Sequence, residues 1–251
     1  MTTAILSALA EEQQGLIQQL EHPVCLRRAG RDFWRGKLHG QPVVLALSKI
    51  GKVAAATTAT TLIEAFDARR IVFTGVAGGV GPGVQVGDVV VATGFVQHDM
   101  DASPLFPCYE IPLYGLSRLA CDVALTATLL EATHASLAGS RGLFDEGFQY
   151  PATVHSGLIA SGDQFVSSAA QSRGLQQGLQ AAGHAALAFE MEGAAVAQVC
   201  FDYGIAFAAV RTISDRADDQ AHVDFPAFVA NVASRYAQVI LEEFLQLLSK
   251  K

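Results

Sequence analysis

Three polar side chains interrupt the most apolar part of the sequence, residues 188–218. Glu192 opens an Ala- and Val-rich stretch with helical character, and Arg211 and Asp215 lie at the end of the β-like run Ile205–Ile213. Open α/β sheets assemble ligand sites at helix starts and at the C-terminal ends of strands, because loops converge there without disturbing the core. The two acids together therefore predict a functional site. Either acid alone is also explained as a residue that stabilises or caps a helix start.

Two further acids, Glu11 and Glu12, follow the apolar run Ala4–Ala10, which reads as a buried strand. Acids in the first turn of a helix interact favourably with the helix dipole, so both are explained without any function. A catalytic interpretation has to prefer one of them, and their positions alone give no reason to do so.

The glycine-rich segments do not have the spacing of known phosphate-binding loops. Gly51–Lys52 is followed by Val53 where a phosphate loop needs Ser or Thr. In Gly75–Asp88, the most glycine-dense part of the chain, Val84 occupies the last glycine position of a dinucleotide fingerprint. What remains is a loop where the backbone closely approaches either a ligand or another chain segment.

Two loops that follow predicted strands carry residues with more than one interpretation. In the loop 97–101, His98, Asp99 and Asp101 could bind a metal, but the sequence offers no further ligand, and we expect neither a metal nor a cofactor. In the loop 161–166, Phe165 could stack on a planar ligand or pack beneath the loop.

The order of predicted elements indicates one α/β domain over residues 1–251. Strands and helices alternate along the chain, with a β meander between Val24 and Leu47 and a long amphipathic helix over Phe225–Leu248. A helix is also predicted over Leu116–Leu137, followed by an irregular segment at 138–152. This alternation predicts a three-layer α/β/α sandwich around a central sheet.

Composition excludes several classes of function. The chain has 251 residues, is 51% hydrophobic and carries a formal net charge of −7, without a long basic run, so a nucleic-acid or polybasic membrane surface is not expected. The four cysteines are far apart and form no C-x-x-C motif, which favours reduced thiols over zinc or disulfides. No cationic, apolar leader or transmembrane run is visible, and a cytoplasmic protein is expected.

Taken together, the motifs resemble those of the 5′-methylthioadenosine/S-adenosylhomocysteine nucleosidases, within the purine nucleoside phosphorylase superfamily. The matching segments, over nearly the whole chain, are SALAEE (7–12), KIGKVAAA (49–56), TGVAGG (74–79), VGDVVV (86–91), HDMD (98–101), SGDQF (161–165), FEMEGAAVAQVC (189–200) and VRTISDRAD (210–218). The resemblance implies a mixed, twisted sheet flanked by helices, and hydrolysis of the N-glycosidic bond of methylthioadenosine and adenosylhomocysteine, with 5′-deoxyadenosine as a further candidate substrate.

The resemblance also assigns catalytic roles. It selects Glu12 to activate the attacking water and Asp215 to donate a proton to adenine N7, with Ser214 holding the Asp215 loop. Arg211 would support this network, and Glu192 would bind the ribose hydroxyls. By the same alignment the neighbouring acids Glu11 and Glu190 would be dispensable.

The substrate-binding residues implied by the resemblance surround these acids. Met191 would pack on the sugar, Phe165 would stack on adenine, and the backbone of Val166 would read its Watson–Crick edge. The remaining residues implied to contact substrate are Leu9, Ile50 and Phe225, which would line the 5′ pocket, and Val76, Ala77 and Gly78. Residues 102–113 of a second copy would complete this pocket in a homodimer.

The chemistry of glycosidic cleavage agrees with this acid set. Positive charge develops on the ribose and negative charge on the leaving adenine, so the reaction needs anions near the sugar and a proton donor near the base. An aspartic acid with an ordinary pKa of about 3.9 donates at neutral pH only if burial or nearby anions raise that pKa.

Val76 departs from the serine of many relatives, and it offers no hydroxyl to the water or sugar.

Three alternatives remain. A purine nucleoside phosphorylase would need a clamp for phosphate, which Glu11 and Glu12 would repel. An aminodeoxyfutalosine nucleosidase would use the same acids. A catalytically silent adenosine-binding regulatory protein would not need intact Glu12, Glu192 and Asp215.

Overall fold

The computed structural model describes residues 1–139, 152–221, 225, 228, 229, 232 and 234–250. The strands within these ranges are β1 (Thr2–Ser7), β2 (Glu21–Arg28), β3 (Arg31–Leu38), β4 (Gln41–Leu47), β5 (Ala68–Gly79), β6 (Val89–Gln97), β7 (Leu119–Ala120), β8 (Val154–Ser161), β9 (Ala186–Glu190) and β10 (Ala206–Asp215). The helices are α1 (Gln14–Gln18), α2 (Lys52–Phe66), α3 (Val123–Gly139), α4 (Ala169–Ala181), α5 (Gly193–Tyr203) and α6 (Ser234–Ser249).

The strands form one mixed sheet in the order β10-β6-β8-β9-β5-β1-β4-β3-β2, with β7 paired to β6. β4, β1, β5 and β10 are parallel, as are β6, β8 and β9, and the two groups meet in antiparallel pairings between β6 and β10 and between β5 and β9. Because β5 also pairs with β10, the sheet closes on itself at one end. The mixed sheet was predicted, whereas its closure was not.

Glycines at the end of β5 allow this closure. A Cβ on Gly79 would lie 2.8 Å from Ile213 Cγ2, and one on Gly78 would lie 2.8 Å from Asp215 Oδ1. Side chains larger than hydrogen would therefore separate β5 from β10 at the point where β9 joins β5. Close approach to another chain segment, one of the two interpretations left open for this stretch, is confirmed.

Alternate residues of the central strands bury their side chains on opposite faces of the sheet, as period-2 strands require. On one face, Leu6 and Phe73 pack with the helices α2 and α5. On the other face, Ile5 and Val72 pack with α1, α3 and α6, where Tyr236 and Phe244 are fully buried. The helix–sheet–helix arrangement predicted from the alternating elements is therefore present.

Several predicted boundaries differ from the structure. The strand predicted at Ile71–Thr74 continues to Gly79, so the first part of the expected glycine loop is strand. The helix predicted from Leu116 begins at Val123, because the preceding residues form the short strand β7. The C-terminal helix is described only over Ser234–Ser249 and at isolated earlier positions, and most of the irregular segment predicted at 138–152 lies outside the described residues.

Two observations concern the membrane and disulfide or zinc classes that composition disfavours. None of the described helices is both long and apolar enough to cross a membrane. The four cysteines are free thiols: Cys25 and Cys108 are exposed, and Cys121 and Cys200 are buried.

Candidate functional site

A cavity of about 280 Å³ opens where β1, β5, β8, β9 and β10 end. Strands that run in opposite directions have their C-terminal ends at this cavity. Side chains that are distant in sequence therefore line the same cavity. Every residue predicted for the site lines this cavity: Leu9, Glu12, Ile50, Val76, Ala77, Gly78, Phe165, Val166, Met191, Glu192, Arg211, Ser214, Asp215 and Phe225.

Glu12 is held in the cavity by backbone donors. Its Oε2 accepts hydrogen bonds from Ala8 N and Leu9 N, both at 2.9 Å, and its Oε1 accepts one from Val76 N at 3.2 Å. The side chain is buried, and desolvation raises its pKa to about 7 despite these donors and the nearby positive charge of Arg211. Glu11 is exposed. The structure thus separates two acids that the sequence alone could not rank.

The backbone of Val76 donates a hydrogen bond to the site, which its apolar side chain cannot do. The N–H of Val76 donates to Glu12 at the end of β5, where a Cβ on the adjacent Gly75 would come within 3.1 Å of Glu12 Oε1. Although Val76 has no hydroxyl group, the Glu12 carboxylate therefore still has a hydrogen-bond donor at this position, the Val76 N–H.

Asp215 lies at the end of β10, against the backbone of β5. Its Oδ2 accepts a hydrogen bond from Ser214 Oγ at 2.8 Å, and its Oδ1 accepts one from Ala217 N at 2.8 Å. Ser214 is itself buried and within 3.4 Å of the carbonyl oxygen of Ala77. These contacts fix the orientation of the Asp215 carboxyl at the wall of the cavity.

Arg211 supplies the cavity's positive charge, and that charge is already paired. Its Nη2 lies 2.9 Å from Glu190 Oε2, and the side chains of both residues are only 2% exposed. Its Nη1 donates to the carbonyl oxygens of Phe73 and Val210, and its guanidinium lies 4.1 Å from the centroid of the Phe73 ring. The guanidinium is therefore fixed in place from several sides.

Glu190 organises the start of α5. Its carboxylate accepts hydrogen bonds from Glu192 N, from Gly193 N and from Ser161 Oγ in addition to Arg211. The expectation that Glu190 is a dispensable neighbour of Glu192 is not supported by this geometry. Its position at the end of a short apolar strand was the signal in the sequence, but its partners come from β8 and β10 and are visible only in the fold.

Glu192 occupies the side of the cavity next to the loop before α2. Its Oε1 accepts a hydrogen bond from Gly51 N at 2.7 Å. Burial and the negative charge of Glu190 raise the pKa of Glu192 well above its ordinary range, while Arg211 and the Gly51 bond act in the opposite direction. Glu12 and Glu192 are thus both poised to hold a proton near neutral pH.

The opposite wall is apolar and aromatic. The rings of Phe165 and Phe225 meet edge to face with their centroids 5.6 Å apart, beside the buried Val166. Phe165 is 44% exposed, so part of its ring is free to contact a planar ligand. Ile50, 58% exposed, lies at the mouth of the cavity.

Other residues line the cavity without having been predicted from the sequence. They are Ala8, Phe73, Gly75, Gln164, Phe189, Glu190 and Ala217. Most are small or apolar and gave no chemical signal. Over the described part of the chain, no group of three or more His, Cys, Asp or Glu side chains is arranged to hold a metal.

The arrangement is suited to a ligand that becomes positively charged. Glu12, Glu190, Glu192 and Asp215 face a cavity in which Arg211 is the only lining cation among the described residues. Proton donors and acceptors lie on the polar side, and the aromatic side can hold a planar ring.

Comparison with known proteins gives consistent matches. The model of the phosphorylase superfamily matches residues 2–246. A 5′-methylthioadenosine/S-adenosylhomocysteine nucleosidase of Shewanella frigidimarina is 30% identical over 247 residues, covering 98% of this chain and 100% of the relative. An aminodeoxyfutalosine nucleosidase of Helicobacter pylori is 34% identical over 211 residues, covering 84% of this chain and 83% of the relative. Among solved structures, the methylthioadenosine/adenosylhomocysteine nucleosidase of Neisseria meningitidis in complex with methylthio-immucillin-A has a TM-score of 0.85 and 31% identity, and the match covers 98% of each chain.

The substitution Glu190→Gln tests whether Glu190 holds the site together. A glutamine keeps the shape, but it leaves the buried Arg211 without its counter-ion and offers one acceptor oxygen where several donors converge. Removing one partner of a buried ion pair typically costs about 3–5 kcal/mol. We expect the free energy of unfolding, measured by urea denaturation at pH 7, to fall by at least about 2 kcal/mol.

Glu11→Gln is the matched control, because it removes the same charge from an exposed side chain. Its free energy of unfolding should stay within about 0.5 kcal/mol of wild type. Equal stabilities for the two variants would contradict the organising role of Glu190.

Proposed function

The chain belongs to the phosphorylase superfamily, and from this we propose that it is a nucleosidase that hydrolyses the N-glycosidic bond of 5′-methylthioadenosine and S-adenosylhomocysteine and releases adenine. One observation carries the proposal. The cavity is lined by several buried acids, and among the described residues its one lining cation, Arg211, is already paired with Glu190. Phosphate would meet carboxylates there rather than a free positive clamp, so water is the nucleophile that the site accommodates.

Proton transfer to the leaving base is assigned to Asp215. Adenine leaves more readily once N7 is protonated, because the developing negative charge is then neutralised. Ser214 and Ala217 hold the Asp215 carboxyl by one hydrogen bond to each oxygen, which supports a fixed donor direction.

Activation of water is assigned to Glu12. A general base works best when its pKa lies near the operating pH. Desolvation raises the pKa of Glu12 to about 7, so a substantial fraction of this carboxylate is ionised at neutral pH and the same group readily accepts a proton. The backbone donors from Ala8, Leu9 and Val76 orient it.

Stabilisation of the sugar is assigned to Glu192. Its carboxylate would accept hydrogen bonds from the ribose hydroxyls, and Met191 would pack on the sugar. Burial and the negative charge of Glu190 oppose ionisation of Glu192. Positive charge that develops on the ribose offsets this opposition, so the interaction strengthens toward the transition state.

Recognition of the base is assigned to the aromatic wall. Phe165 would stack on adenine, with its position supported by the edge-to-face contact with Phe225. The backbone of Val166 would pair with the Watson–Crick edge, and Leu9, Ile50 and Phe225 would contact the 5′ substituent. This apolar surface suits a thioether better than a phosphate.

Aminodeoxyfutalosine hydrolysis is the second candidate activity. The observation that favours it is the match to the aminodeoxyfutalosine nucleosidase of Helicobacter pylori, at 34% identity. Both activities cleave an adenine N-glycosidic bond and would use the same acids, so they differ in what the 5′ pocket accepts. Adenine release compared across methylthioadenosine, adenosylhomocysteine, 5′-deoxyadenosine and aminodeoxyfutalosine distinguishes them.

We also infer a homodimer in which residues 102–113 of a second copy complete the 5′ pocket. Leu105 and Leu113 are 84% and 90% exposed, and Val53, on α2, is 78% exposed. Large apolar side chains that are left in water in this way favour burial against another copy. The free thiols are consistent with a cytoplasmic location.

The reaction and the roles of the acids are tested together in phosphate-free buffer. Wild type should release adenine from methylthioadenosine without phosphate. Asp215→Asn and Glu12→Gln should lower kcat by about 10²- to 10⁴-fold, because each removes a proton-transfer group while retaining its shape. Glu192→Gln should also raise KM, because hydroxyl contacts are weakened in the ground state. Adenine is measured by absorbance after separation.

Glu11→Gln is the control and should stay within a few-fold of wild type. A rate that requires phosphate and yields a ribose 1-phosphate product would overturn hydrolysis. A dead Glu11→Gln variant together with an active Glu12→Gln variant would move the water-activating role by one residue.

The dimer is tested by the charged substitution Leu105→Asp. A carboxylate at a buried subunit contact is costly, so the variant should shift toward monomer in sedimentation velocity at micromolar concentration and lose activity in parallel. The same substitution at the exposed Val123, which lies on α3, is the control and should leave the association unchanged. A wild-type monomer with full activity would refute the shared site.

A further inference from the structure

Three charged residues outside the cavity form a closed ring of contacts. The backbone N–H of Lys52 donates to Asp163 Oδ1 at 2.7 Å, and Asp163 N donates to Asp99 Oδ2 at 2.9 Å. The ring is completed by Lys52 Nζ, which lies 2.6 Å from Asp99 Oδ1. Each residue thus contacts both others. Lys52 begins α2, and Asp99 and Asp163 lie in the loops that follow β6 and β8.

On one side, this ring adjoins the residues that contact Glu192. Lys52 is the first residue of α2 and directly follows Gly51, whose N–H donates to Glu192 Oε1 at 2.7 Å. Ile50, one residue earlier, lines the cavity mouth. A shift of Lys52 would therefore move the donor to Glu192 and one wall of the 5′ pocket together.

On the other side, the ring adjoins the aromatic wall. Phe165 and Val166 follow Asp163 by two and three residues and line the cavity. The preceding Gly162 packs against the buried His98, so closely that a Cβ at this position would lie 2.2 Å from the imidazole ring. The loop that carries the aromatic wall is therefore held at its base by Gly162 and Asp163.

A further contact extends the ring to the helix after Glu192. Lys52 Nζ also donates to Gln97 Oε1 at 3.0 Å, and Gln97 Nε2 donates to Gln198 Oε1 at 2.9 Å. Gln198 lies on α5, which begins at Gly193. The ammonium group of Lys52 is thus connected to the element that presents Glu192 by a second route.

The energetics favour a geometric role for this ring over a stabilising one. The side chains of Lys52 and Asp99 are 17% and 22% exposed, and partly exposed ion pairs contribute little to stability. Burial opposes ionisation of Asp99, but the hydrogen bonds from Lys52 and Asp163 N outweigh it and hold the pKa of Asp99 below its ordinary value. Asp99 therefore stays ionised at neutral pH, and its bonds to Lys52 and to Asp163 N persist.

We propose that Lys52, Asp99 and Asp163 form a positioning cluster that sets the spacing between the subsite for the base, at Phe165 and Val166, and the subsite for the sugar, at Glu192. This inference rests on the proposed nucleosidase function. It gives a role to three residues that do not line the cavity. A nucleoside spans both subsites and is sensitive to their spacing, whereas free adenine occupies one of them.

The test compares nucleoside turnover with adenine binding in Lys52→Met. Methionine retains the length of the side chain and the backbone donor but removes the ammonium group. Misplacement of about 1 Å can cost about 10²-fold in rate, so kcat/KM for methylthioadenosine should fall by about 30- to 100-fold, mostly in kcat. The Kd of adenine, measured by calorimetry, should change by less than about 3-fold, since adenine contacts one side only.

Lys49→Met is the matched control, because it removes the same charge from an exposed side chain in the loop that precedes α2. It should turn over methylthioadenosine at close to the wild-type rate. Asp99→Asn should reproduce the Lys52→Met phenotype, and the double variant should be no more than about 3-fold worse than either single variant, because residues that act as a unit are not additive. Lys52→Arg should recover part of kcat.

Several outcomes would overturn the positioning cluster. One is a wild-type kcat in both Lys52→Met and Asp99→Asn. A second is a double variant whose fold-loss in kcat/KM equals the product of the two single-variant losses. A third is a fold-loss of adenine affinity equal to the fold-loss of kcat/KM. A variant that fails to fold would lose adenine binding and its thermal transition together, and such a result for Asp99→Asn would show a structural role instead. Failure of the proposed function is distinguishable, because wild type itself would then release no adenine.

Discussion

The site depends on the burial of several carboxylates around one guanidinium. Arg211 is fixed by Glu190, by two carbonyl oxygens and by the Phe73 ring, and its charge is the nearby cation that partly offsets the desolvation of Glu12 and Glu192. Moving carboxylates out of water is expensive unless they are paired or accept hydrogen bonds, and here the offset is incomplete. The remaining penalty raises the pKa values of Glu12 and Glu192, and positive charge that develops on a bound ligand would offset it.

The fold supplies what this burial needs. Backbone N–H groups at the ends of β1 and β5 hold Glu12, and the start of α5 donates to Glu190. Because the sheet is mixed and closed at one end, strands that run in opposite directions deliver their C-terminal ends to one cavity. Because Gly78 and Gly79 have no side chains, β5 and β10 pair closely and Asp215 packs against the β5 backbone.

Much of this could be predicted from the sequence, and the remainder depends on long-range contacts. The alternating elements predicted the layers, and the motifs predicted many, but not all, of the residues that line the cavity. Local pattern could not distinguish Glu11 from Glu12, since both occupy a favourable position after β1. Nor could it reveal that Glu190 is the counter-ion of Arg211, because these residues belong to different strands. Lys52 gave a signal of phosphate binding and Asp99 one of metal binding, both of which were rejected, and Asp163 gave none. Their contacts with each other join segments that are distant in sequence, so local pattern could not reveal them.

The central claim, that desolvation of buried carboxylates sets the chemistry of the site, is tested most directly by the pH dependence of stability in wild type and Glu12→Gln. The pKa of Glu12 is raised from its ordinary value of 4.5 to about 7 on folding, so the unfolded chain loses its proton first as the pH rises. The contribution of Glu12 to the free energy of unfolding is therefore complete below pH about 4.5 and is lost as the pH rises through about 7. Urea denaturation should show the free energy of wild type falling relative to that of Glu12→Gln by about 2–3 kcal/mol between pH 5 and pH 8. A constant difference between the two proteins, or one that changes in the opposite direction, would contradict the account.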